Sequence, residues 1–160
     1  MLPIHTVLHA TDFSDSARPA FQLACALARD YGAALVLVHV VPPARAFFAP
    51  DGIAAPFFVG DMYDAQVRLS RLHPGDPSVK TDPRVLEGEP AEQILRAARD
   101  THADVIVMGT HGASGLTRLL VGSVAESVMR KSPCPVLTVR APFSLSPDQA
   151  PLVEQHAETA

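Results

Sequence analysis

Three glycines and a serine in the second half of the chain are spaced to hold an anion. They lie in Met108-Gly109-Thr110-His111-Gly112, followed after nine residues by Gly122-Ser123-Val124. The apolar run Ala103-Asp104-Val105-Ile106-Val107 just before them reads as a short buried strand. Residues 123–131 have helical spacing, with Ser123 placed to cap the helix start. Glycines therefore sit where a strand ends, and a Gly-Ser pair sits where a helix begins. In parallel α/β folds that is where a phosphate is held, because free backbone N–H groups and the helix dipole both favour an anion there. Gly109 and Gly112 alone would serve equally as turn chemistry. The Gly-Ser pair adds a hydroxyl and a close backbone approach at the same point.

Asp12, in Thr11-Asp12-Phe13-Ser14, is the second candidate. A carboxylate beside phosphates repels them, so Asp12 is expected to touch a divalent metal or ribose hydroxyls. The plainer alternative is an Asx turn. The glycine segment has no lysine of the P-loop kind. Arg118 within it either reaches a phosphate or stays in solvent, and His111 either contacts a phosphate or covers the loop. His5 and His9 share one strand face, but no helix-spaced histidine or carboxylate supports a zinc site. His39 is expected to end a buried strand with its ring hydrogen-bonded. There is no nucleophile elbow, Ser-His-Asp spacing or Cys-x-x-Cys motif. No general base for attack on a phosphate stands out, which argues against a fast enzyme.

The elements that must position these residues alternate. Residues 5–10 form a first strand, ending at Asp12. A helix follows from Ser14 or Ser16, since Pro19 is tolerated only in a first turn. Its apolar positions Phe21, Ala24, Cys25, Ala28 and Tyr31 form one face, and Gly32 ends it. Residues 34–41 are apolar on both faces, as in a central parallel strand. The Pro-rich segment 44–60 carries Phe47-Phe48 and Phe57-Phe58 and is too long and apolar for a passive connection. It reads either as a loop over a sheet edge or helix, or as a lid or subunit contact. Residues 62–72 form a short helix, 85–87 a third strand, and a helix begins near Pro90. Residues 104–108 form the fourth strand and 136–139 the fifth. This β-α alternation implies a mostly parallel sheet with right-handed crossovers. In such sheets a ligand sits outside the carboxyl ends of strands where the winding reverses. If the first and fourth strands are neighbours, Asp12, the glycine segment and Ser123 share one crevice.

Bulk properties narrow the partners. The 160 residues suit one domain, with 48% apolar and 19% charged residues. A net charge of −4 without a basic block argues against nucleic acid. No apolar run is long enough for a membrane span, and no signal-peptide pattern opens the chain. Cys25 and Cys134 have no partner motif, so a reducing cytoplasm is expected, with Cys25 a small buried hydrophobe. Residues 1–141 are expected to form the domain and 142–160 a flexible tail.

At these residues the chain resembles the universal stress protein family. Thr11-Asp12-Phe13-Ser14 is similar to its first-strand signature. Gly109-Thr110-His111-Gly112, nine residues and Gly122-Ser123 match its ATP-binding pattern, and Ser132-Pro133-Cys134-Pro135-Val136-Leu137-Thr138-Val139 is similar to its closing strand. The resemblance covers roughly residues 3 to 140. It implies an open five-stranded parallel sheet of order 3-2-1-4-5 with helices on both faces, a Rossmann-like α/β class that binds adenine nucleotides. It further implies that Ala10, Thr11, Asp12 and Val40 flank adenine and ribose. Gly109, Gly112, Gly122, Ser123 and Val124 are implied around the phosphates of ATP, often with Mg²⁺ or Mn²⁺; Met108 and His111 are further candidates for binding the nucleotide, and Asp12 and Ser123 for the metal. A homodimer joined through the last strand is implied too, along with a regulatory role toward an unidentified protein partner. Ala10 stands where ATP-binding members often carry proline, and the aromatic segment 44–60 departs from the pattern.

Overall fold

Period-two alternation along the strands decides which helix covers which face. The computed structural model describes residues 3–43, 45–48, 54–57, 62–110 and 121–140, with the backbone alone for 45–48 and 54–57. The chain runs β1 (Thr6–Ala10), α1 (Arg18–Tyr31), β2 (Ala34–Val41), β3 (Arg45–Phe48), β4 (Ala54–Phe57), α2 (Met62–Ser70), β5 (Thr81–Glu87), α3 (Pro90–Asp100), β6 (Val105–Gly109), α4 (Ser123–Lys131) and β7 (Val136–Val139). Val7, Leu35, Leu37, Val105 and Val107 face Phe21, Ala24, Cys25 and Ala28 of α1 and Leu69 of α2. Leu8, Ala10, Val36, Val38, Ile106 and Met108 face Ile94, Leu95 and Ala98 of α3 and Val128 of α4. Successive residues of one strand thus belong to opposite cores.

The main sheet is ordered β5-β2-β1-β6-β7, and every pair in it is parallel. Counting its five strands in chain order, this is the expected 3-2-1-4-5. The winding reverses between β1 and β6, where Ala10 lies opposite Met108. The supposition that the first and fourth main-sheet strands are neighbours is therefore met.

The structure corrects several local expectations. The segment 44–60 contains an antiparallel ribbon, with Arg45 opposite Phe57 and Phe48 opposite Ala54. Asp51-Gly52, between the two aromatic pairs, is a hairpin signal that the surrounding prolines mask. Strand β5 begins at Thr81, four residues before the expected start, and contains Pro83. An edge strand accommodates proline because its outer N–H positions need no partner. Helix α1 starts at Arg18 with Ala17 as its N-cap and no side-chain cap, so neither Ser14 nor Ser16 caps it. Tyr31 is 44% and Met62 42% exposed, so neither lies on the buried face assigned to it. The end of α1 behaves as expected. Gly32 takes φ 63°, its N–H donates to the Arg29 carbonyl at 3.2 Å, and the Ala33 N–H donates to Ala28 at 2.8 Å.

Candidate functional site

Two strand ends and one helix start meet at the crossover. At the end of β1, the Thr11 N–H donates to the Val38 carbonyl at 2.9 Å, extending the ladder by one bond. The chain then turns on its own side chains. The Phe13 N–H donates to Thr11 Oγ1 at 3.0 Å, while the Ser14 N–H and hydroxyl donate to Asp12 Oδ1 at 3.0 and 2.5 Å. Asp12 is thus an Asx-turn residue, the plainer of the readings weighed for it, and it also lines the cleft. Phe13 takes φ 62°, a left-handed backbone that a bulky side chain rarely adopts.

At the end of β6, the Thr110 N–H donates to Val139 at 3.0 Å and the Thr110 carbonyl accepts from the Gly122 N–H at 2.7 Å. Thr110 and Gly122, twelve positions apart in the chain, are thereby joined by a hydrogen bond. Gly122 is the N-cap of α4 at φ −60°, ψ 150°, and Ser123 is the first helical residue rather than the cap. The Glu126 N–H closes the first turn onto the Gly122 carbonyl at 2.9 Å. Of the four donors at a helix start, that of Gly122 is already bonded, leaving those of Ser123, Val124 and Ala125. All three residues line the cleft.

The cleft gathers most of the residues singled out from the sequence. Ala10, Thr11, Asp12, Val40, Met108, Gly109, Gly122, Ser123 and Val124 all line it. His111, Gly112 and Arg118 lie outside the described residues. Pro90 and Ile94 of α3 wall one side, and Val38 and His39 of β2 another. Sequence reasoning leaves these four unassigned to the cleft because they come from elements without a motif. The lining divides by type into apolar residues that belong to one core cluster (Ala10, Val38, Val40, Ile94, Met108), termed the apolar slot, and polar residues (Thr11, Asp12, Thr110, Ser123). Such a division suits a flat apolar group joined to an anion.

The histidines behave differently from one another. His39 is half-buried and its Nδ1–H donates to the Thr11 carbonyl at 2.8 Å, as expected for a ring ending a strand. Burial holds its pKa below the ordinary histidine value, and the Arg68 guanidinium adds to this against the opposing pull of Thr11 and Asp12. His9 is wholly enclosed, with Nδ1 bonded to the Val107 carbonyl at 3.0 Å. Among the described residues no three His, Cys, Asp or Glu side chains group as a metal site. No helix among them is long and apolar enough to cross a membrane.

Comparison with known proteins bears on this geometry. A family model described as the universal stress protein family matches residues 3–140. A universal stress protein of Thermus aquaticus is 38% identical over 139 residues, covering 84% of this chain and 98% of the relative. The structure of protein MJ0577 superposes with a TM-score of 0.69 at 24% identity, covering 89% of this chain and all (100%) of that one. A universal stress protein crystallised in complex with cAMP superposes with a TM-score of 0.60 at 25% identity, covering 87% and 98% of the two chains.

Proposed function

Because the chain belongs to the universal stress protein family, we propose that its cleft binds an adenine nucleotide, ATP foremost, and that the protein is a nucleotide-dependent regulatory module in the stress response. The observation that carries this reading is the start of α4, where Ser123, Val124 and Ala125 have N–H groups without helical partners and line the cleft together with the ends of β1 and β6. A charge-assisted bond contributes about 1.5–3 kcal/mol. Three of them approach the roughly 8 kcal/mol of micromolar binding. Adenine would lie in the slot near Ala10 and Val40, ribose near Thr11 and Asp12, and phosphates at Gly109, Gly122, Ser123 and Val124. His111 and Gly112 would complete the phosphate side. The cAMP complex of a related protein supports the choice of an adenine base.

Mg²⁺ or Mn²⁺ would arrive with the phosphates. Asp12 and the Ser123 hydroxyl would supply protein oxygens, and Mg²⁺ needs only one or two carboxylates when phosphate and water complete its shell. The ion would neutralise phosphate charge beside Asp12. The Ser14 N–H and hydroxyl both donate to Asp12, which suits it to hold a turn and an ion rather than to accept a proton. Regulation rather than turnover follows from that assignment. A homodimer in the cytoplasm completes the proposal. Strand β7 ends the sheet and Leu137 on it is 41% exposed, which supports pairing through that edge.

The test deletes one N–H. Ser123→Pro removes the hydrogen at the first helical position, where proline is tolerated, and Gly122 already has the extended ψ that a residue before proline requires. Titration calorimetry with ATP and Mg²⁺ should show affinity falling by about tenfold or more, the loss of one charge-assisted bond. Ser123→Ala, which keeps the N–H, should lose less. Equal affinity in Ser123→Pro and wild type would refute the phosphate assignment. Steady phosphate release by wild type would replace the regulatory reading with that of a hydrolase.

A further inference from the structure

On the face of β2 away from the apolar slot, three side chains stack in a column. The Arg68 guanidinium of α2 lies 4.3 Å from the centre of the Phe13 ring. Phe13 also touches the His39 imidazole, with centroids 4.3 Å apart and planes inclined by 34°. His39 in turn donates from Nδ1 to the Thr11 carbonyl at 2.8 Å. The column therefore begins on an exposed helix and ends on the backbone of a residue that lines the cleft.

We propose that Arg68 is a positioning residue for the cleft, acting through Phe13 and His39 to hold the β1–α1 turn in the shape that presents Thr11 and Asp12 to a nucleotide. The inference rests on the nucleotide-binding reading and adds to it a residue outside the cleft. Phe13 sits at φ 62°, a conformation that persists only where its surroundings over-determine it. Those surroundings include the Thr11 hydroxyl on its N–H, His39, Arg68 and the core cluster that Phe13 packs against. Asp12 is the next residue back along the chain, so relaxing Phe13 moves the carboxylate and its bonds to Ser14.

The column also has a charge logic. The charged groups acting on His39 are Arg68 from α2, which opposes its protonation, and Asp12 from the β1–α1 turn, which favours it. A neutral imidazole contacts Phe13 with Arg68 alone as the cation, whereas a protonated one would add a second positive charge against the same ring, which Arg68 opposes. Helix α2 follows the β3–β4 ribbon directly in the chain. Anything that displaces α2 would thereby reach the turn without entering the cleft.

The experiment compares wild type with Arg68→Met, Arg68→Lys and Phe13→Gly, using AMP and ATP in titration calorimetry and NMR to follow the His39 ring across pH. Arg68→Met should weaken AMP binding on the order of threefold, the scale of one cation–ring contact at an exposed site. It should also raise the His39 midpoint, and Arg68→Lys should restore both. Phe13→Gly adopts positive φ freely but has no ring, so it should bind as weakly as Arg68→Met and be insensitive to further change at Arg68. By reciprocity, nucleotide should shift the His39 midpoint in wild type and shift it by a smaller amount in Arg68→Met, where only the direct effect of the ligand on a cleft-lining ring remains. Wild-type affinity and an unmoved His39 midpoint in Arg68→Met would overturn the inference while leaving nucleotide binding standing. Failure of wild type to bind either nucleotide would overturn the function itself, and this inference with it.

Discussion

Replacing His9 by phenylalanine should make the fold less sensitive to mild acid. His9 lies in the middle strand of the sheet with 0% exposure, its ring 5.6 Å from that of Phe21. Nδ1–H donates to the Val107 carbonyl, but Nε2 is enclosed and has no hydrogen-bond partner. A proton on Nε2 would bring charge into the core with nothing to receive it. Burial therefore pushes the pKa from 6.5 down to about 4, outweighing the Val107 bond and the Asp12 charge. In the unfolded chain the residue titrates near 6.5. Between about 4 and 6.5 the unfolded state thus binds a proton that the folded state refuses, and stability falls as pH falls. Well above 6.5 both states are neutral and the effect vanishes. A tenfold loss of proton affinity on folding corresponds to about 1.4 kcal/mol, so the complete penalty is roughly 3 kcal/mol, of which about 2 kcal/mol develops between pH 7 and pH 5. Phenylalanine is somewhat larger than histidine and loses the Val107 bond, so overpacking and the lost bond together cost about 2–4 kcal/mol that does not depend on pH. Urea denaturation of both proteins at pH 7 and pH 5 checks the reasoning. Other titrating groups, His39 included, are common to both proteins and cancel in the difference. The variant should lose about 2 kcal/mol less than wild type over this interval. Parallel losses would refute the account, since His9 would then titrate alike in both states.

Gly88 has φ 141°, and a Cβ built there would lie 2.8 Å from the Gln93 side-chain nitrogen. Gly88→Ala should therefore lower stability by about 1–3 kcal/mol, read as a reduced thermal midpoint, and an unchanged midpoint would show that the turn relaxes freely. Cys25 is fully enclosed and burial pushes its thiol up to about 12, whereas Cys134 is half-buried. A thiol reagent should label Cys134 first in the native protein and both cysteines only after denaturation, as mass spectrometry of timed samples would show. The Asp104 carboxylate accepts from the His5 and Thr6 N–H groups at 2.7 and 2.9 Å, and these bonds hold its pKa below the usual carboxylate value. Its contribution is present above the ordinary carboxylate range and lost as pH falls through the lowered pKa. Asp104→Asn should flatten the stability profile in strong acid, and a profile unchanged there would exclude the assignment.

How much of this is legible in the chain alone depends on the range of the interaction concerned. The strands of 34–41 and 136–139 are readable to the residue, because apolar runs bounded by glycine and proline need no tertiary information. Gly32 is readable as a helix stop for the same reason. The crossover between β1 and β6 is not visible in local pattern and enters through resemblance to a family. Where a capping rule competes with tertiary geometry, geometry prevails. Ser14 and Ser16 look like caps but serve the Asp12 turn and each other, and α1 starts beyond them. Likewise Ser123 is displaced from the cap by Gly122, whose N–H is held by Thr110. His39 is legible as a hydrogen-bonded ring, but not as part of the cleft. Nothing in its sequence neighbourhood names Thr11 or Phe13, which are more than twenty residues away.

The bond between the Thr110 carbonyl and the Gly122 amide brings together the two chain positions that flank residues 111–121. Both ends of an insert at that place would be received at one spot, beside the end of β6 and the start of α4. Loop-closure entropy grows only slowly with length, so a longer or shorter insert would cost the framework little. Lineages, and protein engineers, can therefore rewrite that stretch while keeping the same entrance and exit. The length of that stretch becomes a trait open to change at low cost in closure entropy.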